Sequence, residues 1–167
     1  MDLDEDQWEA LRRAINGSPM YLHMGMEVLD AGEGRSRLRL KAGPSLHSIY
    51  GMLHGGVAAT IMDSACGIAL GTLLEPGEIC VTVDLRVNYI CNLKEGTIFA
   101  EGRVVHRGGQ TGVTRAEVTA EDGTLIPHSP PSTAFKEAFS EPVDQRFFDP
   151  SSRRSLASSI SSAIHLE

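Results

Sequence analysis

Residues Gly51 to Asp63 read GMLHGGVAATIMD: a histidine, two adjacent glycines, then an apolar run whose first charged residue is an aspartate. These types at this spacing suit acyl chemistry. If a helix starts at Gly55, its first backbone N–H groups lack an intrahelical acceptor, and the helix dipole adds positive character there. Gly55 and Gly56 carry no side chain to hold a substrate away from that backbone. Preformed donors of this kind stabilise the charge that grows on a carbonyl oxygen under attack. The structural alternative is that both glycines serve only close helix–sheet packing. Asp63 offers a carboxylate that could attack or activate water. Its alternative is a salt bridge or hydrogen bond to a neighbouring strand, because an acid buried without a partner is costly.

The spacing constrains how the two groups could cooperate. Asp63 follows Gly55 by eight positions, about 12 Å along a helix axis. No single carbonyl touches both ends of that segment. If both act on one substrate, the aspartate comes from a second copy of the chain, and the site belongs to a symmetric dimer.

The elements that must position these groups are legible in the surrounding text. Residues 5 to 16 place Trp8, Leu11 and Ile15 on one stripe of a short amphipathic helix, ended by Asn16-Gly17 and blocked by Pro19. From Gly25 to Lys41 the text alternates, and Gly32-Glu33-Gly34 splits it into two strand segments. His54 to Leu70 is apolar on nearly every side of a helical wheel, which predicts a helix buried all round. Residues 79 to 91, ICVTVDLRVNYIC, alternate from Ile79 to Tyr89 and read as one long strand. Further strands are expected over 97–106, 111–120 and 124–136. One helix preceded by a strand run and followed by several predicts an α+β fold with a curved antiparallel sheet wrapped around that helix.

Composition excludes several classes. The chain has 167 residues, enough for one domain with a real core, and a formal net charge of −7 that disfavours nucleic acid as a partner. Its longest apolar run, Val57 to Leu70, contains Thr60, Asp63 and Ser64 and is too short to span a bilayer. The acidic start MDLDEDQWEA is unlike a signal peptide, and Cys66, Cys80 and Cys91 have no metal-type spacing. A cytoplasmic protein is expected, with no membrane partner. His47 and His54 lack further ligands at zinc spacing, and no G-x-S-x-G motif supports a serine nucleophile. Arg103, His106, Arg107, Gly108 and Gly109 form a basic, glycine-rich turn that reads either as a phosphate cradle or as a solvated β-turn.

The run from Ser48 to Ala65, S-x-x-G-M-L-H-G-G-V-A-A-T-I-M-D-S-A, resembles the signature of the hotdog-fold acyl-CoA thioesterases of the phenylacetate-degradation (PaaI-like) group. The resemblance continues through VTVDLRVNYI and AEGRVVHRGGQTGVTRAEV, covering roughly residues 20 to 138. It implies five or six antiparallel strands around a long helix. It implies hydrolysis of an acyl-CoA, without metal or redox cofactor, by a homodimer or dimer of dimers. Asp63 would then be the nucleophile or general base, the Gly55 N–H of the partner copy would polarise the thioester carbonyl, and His54 would orient the loop or substrate. Thr82 falls where relatives position the attacking water; its alternative is an ordinary strand threonine. Ser48 stands where the family usually has asparagine, with a shorter reach, and His47 beside it is a candidate to compensate. That departure keeps open a non-catalytic reading, a hotdog that binds acyl-CoA as sensor or carrier. The expected organisation is an N-terminal helix and lead-in over 1–19, a hotdog domain over 20–139, and a loosely docked or poorly ordered tail over 140–167.

Overall fold

A computed structural model of the chain describes residues 4–75, 77–124 and 126, with the backbone of a last strand at 134–139. Helix α1 spans Glu5–Asn16. Its first turn is closed by a reciprocal cap, in which Asp4 accepts the Gln7 N–H at 2.8 Å and Gln7 accepts the Asp4 N–H at 3.1 Å. At the other end the Asn16 side chain bonds both backbone groups of Val28, accepting at 2.8 Å and donating at 3.3 Å, which docks α1 on the first strand. Pro19 does more than stop this helix. It opens a second, short helix α2 (Pro19–Met24), for which the sequence reading had no element; at a first helical turn its missing N–H costs nothing.

Strands β1 (Met26–Gly32) and β2 (Arg35–Ala42) form a hairpin whose turn residues Glu33 and Gly34 both have positive φ, 49° and 75°. The long helix α3 covers Gly55–Gly71, followed by β3 (Ile79–Asp84), β4 (Gly96–Arg107), β5 (Thr111–Ala120) and β6 (Ala134–Phe139). One antiparallel sheet results, in the order β1-β2-β4-β5-β6-β3. Of the run expected over 124–136, residues 125 and 127–133 lie outside the described part, as does the expected tail.

The core lies between α3 and the inner face of the sheet, where Leu38, Leu40, Ile61, Met62, Ala65, Ile98, Ala100 and Val118 are almost wholly buried. Two residues set how closely helix and sheet approach. The Ser36 hydroxyl on β2 donates to the Ala65 carbonyl at 2.7 Å, and Gly102 on β4 leaves no room for a β-carbon against that same carbonyl.

Two expectations need correction. Helix α3 is not buried all round: Thr60, Asp63, Ser64, Gly67, Ile68 and Gly71 line a half-buried face, bordered at Asp63 and Gly67 by the edge strand β3. The strand expected over 79–91 stops at Asp84, although the sequence keeps alternating. Strand β3 is the sheet edge, and its ladder with β6 ends at the Asp84–Phe135 pair. Residues 85–91 therefore have no strand to pair with among those described. The apolar alternates of β3 also face outward: Ile79, Val81 and Val83 are 37%, 42% and 56% exposed.

Candidate active site

Helix α3 begins where the glycines predicted. His54 is its N-cap with extended backbone (φ −66°, ψ 132°), and its Nδ1 accepts the Gly56 N–H at 2.9 Å. That bond makes Nδ1 an acceptor, so the neutral ring carries its proton on Nε2. The Gly55 N–H meets no acceptor among the described residues, and it points out of the positive end of the helix dipole. The Tyr89 hydroxyl donates to the Gly55 carbonyl at 2.9 Å, and the ring lies so close that a β-carbon at position 55 would sit 3.2 Å from it. A cleft of about 330 Å³ opens here, lined in part by His54, Gly55, Tyr89 and Asn92. Sequence reasoning missed Tyr89, which looked like one more apolar alternate of a strand. Its partner lies 34 residues away, and no local pattern announces it.

Asp63 sits two turns further along α3, half-buried, and the Thr82 hydroxyl donates to its Oδ1 at 2.6 Å. Matching rises make this contact possible. Two strand residues advance about 6.6 Å and four helical residues about 6 Å, so inward positions of β3 meet successive turns of α3. Thr82 meets Asp63, and one step on, the Cys80 thiol donates to the Gly67 carbonyl at 3.6 Å. From α2, Tyr21 hydrogen-bonds Ser64, next to Asp63; burial and the nearby Asp63 charge push its phenol above its ordinary value of 10.0 and that bond opposes them only in part.

The remaining predicted residues divide. Ser48 sits in a tight turn: its N–H donates to Met52 O at 2.7 Å, its carbonyl accepts from Gly51 at 3.0 Å, and its Oγ accepts from the Tyr50 N–H at 3.3 Å. His47 donates from Nε2 to the Lys94 carbonyl at 2.7 Å, strapping this loop to residues 93–94. Arg103, His106, Arg107, Gly108 and Gly109 do not converge. A register shift between Val104 and His106 separates Arg103, which lines an outer cleft beside Arg35, from Arg107, whose guanidinium is held by Glu78 at 2.9 Å. The Gly108 N–H donates to Thr111 O at 2.7 Å, so one of the N–H groups expected to be open is occupied. Among the described residues, no group of three or more metal-binding side chains comes together and no helix is long and apolar enough to cross a membrane.

A family model described as the thioesterase superfamily matches residues 50–127, a span holding Gly55, Asp63, Thr82 and Tyr89. A protein of Halobacterium salinarum, provisionally named an esterase, is 34% identical over 127 residues, covering 72% of this chain and 83% of its own length. The chain belongs to the thioesterase superfamily. Its antiparallel sheet around a single long helix is the hotdog fold of these thioester hydrolases. The chain is also similar to a 1,4-dihydroxy-2-naphthoyl-CoA hydrolase of Listeria monocytogenes, 26% identical over 103 residues, covering 62% of this chain and 84% of that one. Among solved structures, a thioesterase protein of Streptococcus pneumoniae determined with coenzyme A superposes with a TM-score of 0.62 at 24% identity, covering 71% of this chain and 91% of that one. That likeness is one of fold.

Proposed function

We propose that this thioesterase hydrolyses an acyl-CoA to the free acid and coenzyme A, as a cytoplasmic enzyme of the PaaI-like group, with each site shared between two copies of the chain. The Thr82–Asp63 hydrogen bond carries the reading. With Oδ1 fixed by Thr82, Oδ2 is left to take a proton from water as the water oxygen adds to the thioester carbon; direct attack by the carboxylate is the other route open to it. The carbonyl oxygen becomes an oxyanion, held by the Gly55 N–H of the partner copy. Collapse of the tetrahedral species breaks the C–S bond, and the departing sulfur takes up the proton, giving acid and thiol. No metal or redox group is required for this sequence of bonds.

Two features support the dimer. Gly55 and Asp63 lie on one helix about 12 Å apart, too far to serve one carbonyl. Strand β3, which carries Thr82, is an edge strand with outward-facing Ile79, Val81 and Val83, an arrangement that natural sheets cover or pair. We therefore place the second copy against β3, with a dimer of dimers as the larger assembly. The test is thiol release from a panel of aryl- and fatty acyl-CoAs. Turnover that is lost in Asp63→Ala is expected. Binding of acyl-CoA with no turnover by the wild type would instead establish a sensor or carrier.

A further inference from the structure

Two adjacent glycines make a weak start for a helix. Gly55 and Gly56 both lie in the first turn of α3, where helix ends fray and glycine is the least favourable residue after proline. Left to itself, such a turn would hold its N–H groups loosely. Three side chains fix it instead. The Gly56 N–H donates to His54 Nδ1 at 2.9 Å, the Tyr89 hydroxyl donates to the Gly55 carbonyl at 2.9 Å, and the Thr60 hydroxyl donates to the Gly56 carbonyl at 2.8 Å. The first two bonds grip opposite ends of one peptide unit, the one that joins Gly55 to Gly56. The glycines also make room for the two rings. A β-carbon at 55 would lie 3.2 Å from the Tyr89 ring, and one at 56 would lie 3.1 Å from His54 Nδ1.

We infer that Tyr89 is a positioning residue for the oxyanion donor: its hydroxyl and ring hold the Gly55–Gly56 peptide so that the Gly55 N–H stays aimed at the thioester carbonyl. The inference rests on the hydrolase reading, which is what brings a carbonyl to Gly55. Three observations support it. Of the first three N–H groups of α3, that of Gly56 goes to His54 Nδ1 and that of Val57 to the His54 carbonyl at 2.9 Å, so among the described residues Gly55 holds the open one. A site with a single open donor depends on the direction of that donor, because preorganisation is what makes it effective. The Tyr89 hydroxyl is not needed to dock its own segment. Two residues on, the Cys91 N–H donates to the Ile126 carbonyl at 2.8 Å, and the Leu93 carbonyl accepts the Leu53 N–H at 2.8 Å. Finally, Tyr89 is 54% exposed at the cleft beside Gly55, so its bond adds little to the core and acts at the mouth of the site.

The experiment compares wild type with Tyr89→Phe, which removes the hydroxyl and keeps the ring. Thiol release from acyl-CoAs gives kcat and KM, and amide exchange in protein labelled with ¹⁵N-glycine reports on the turn without any need for turnover. A neutral hydrogen bond supports an effect of about three- to tenfold. The variant should lose that factor in kcat with KM close to wild type, and exchange at Gly56 should rise by a similar factor while Gly102, inside the sheet, is unchanged. Exchange at Gly56 that ignores the hydroxyl overturns the inference, as does faster exchange with an unchanged kcat. A loss carried by KM assigns Tyr89 to substrate contact and overturns it too. Faster exchange in a protein that releases no thiol upholds the clamp on the turn and removes the hydrolase reading. Thiol release by the wild type, with exchange at Gly56 unmoved in the variant, keeps that reading and removes the clamp.

Discussion

Thr82 and Asp63 meet at 2.6 Å where the edge strand β3 runs along the central helix α3 with strand and helix rises in step. The hydroxyl holds one carboxylate oxygen, and the other is the one proposed to face the substrate. Losing the carboxylate while keeping its shape, in Asp63→Asn, is expected to lower kcat by about 10²- to 10⁴-fold with the fold intact, measured by thiol release alongside circular dichroism.

In the proposed mechanism Thr82 acts through Asp63, and that contribution separates from simple packing by a conservative pair. A hydrogen bond to a charged group contributes about 1.5–3 kcal/mol, so Thr82→Val should lower kcat about 10- to 100-fold while leaving KM close to wild type. Thr82→Ser, which keeps the hydroxyl, should restore most of that rate. Equal losses in the two variants would assign Thr82 to packing alone.

Gly102 carries a stability prediction. A methyl at this position meets the Ala65 carbonyl oxygen and the Ser36 hydroxyl, both fixed by their own hydrogen bond. Neither is the free end of a long side chain, so α3 has to lift from β4. Gly102→Ala should destabilise the fold by about 1–3 kcal/mol in urea unfolding. A variant as stable as the wild type contradicts this contact.

The phenol of Tyr21 gives a pH dependence. Its value is raised in the folded chain, by burial first and then by the Asp63 charge, so folding favours the neutral form. The stabilisation is whole below the unfolded value near 10 and is lost as pH rises through the folded one. Unfolding followed across this alkaline range should show a fall in stability that is smaller in Tyr21→Phe. Identical alkaline profiles for the two proteins would count against the burial.

Much of this arrangement could be read from the residues alone, and the parts that could not share a cause. Helix α1, the β1–β2 hairpin, and β4 and β5 follow from stripes, alternation and glycine turns, which are local. The start of α3 at Gly55 followed from His54-Gly55-Gly56. Three features depended instead on what lies across the molecule. The strand over 79–91 shortened to Asp84 because an edge strand lasts only as long as its single neighbour. The open face of α3 was hidden because Gly67, Ile68 and Gly71 look like core residues whether or not α1 leaves a groove above them. Tyr89 gained its place from a carbonyl 34 residues away. At the candidate site, the sequence paired Gly55 with Asp63 through distance alone, whereas the Thr82 contact required the register of β3 against α3. The basic turn at 103–109 was read as one unit, and a single extra residue in the β4–β5 ladder splits it between two faces.

In the proposed dimer one site takes the Gly55 N–H from one chain and the Asp63 carboxylate from its partner. Gly55→Pro removes that N–H at a first helical residue whose backbone suits proline, after an extended His54; its β-carbon lies 3.2 Å from the Tyr89 ring, which must give slightly, so the fold of the variant is checked by circular dichroism. Each homodimer, Gly55→Pro or Asp63→Ala, should be nearly inactive in thiol release. Hybrid dimers, co-expressed with two different tags and purified through both, contain one site with neither defect if the groups come from opposite chains. Recovery to about half the wild-type rate is expected. Hybrids no more active than their parents would place both groups in a single chain and contradict the shared site.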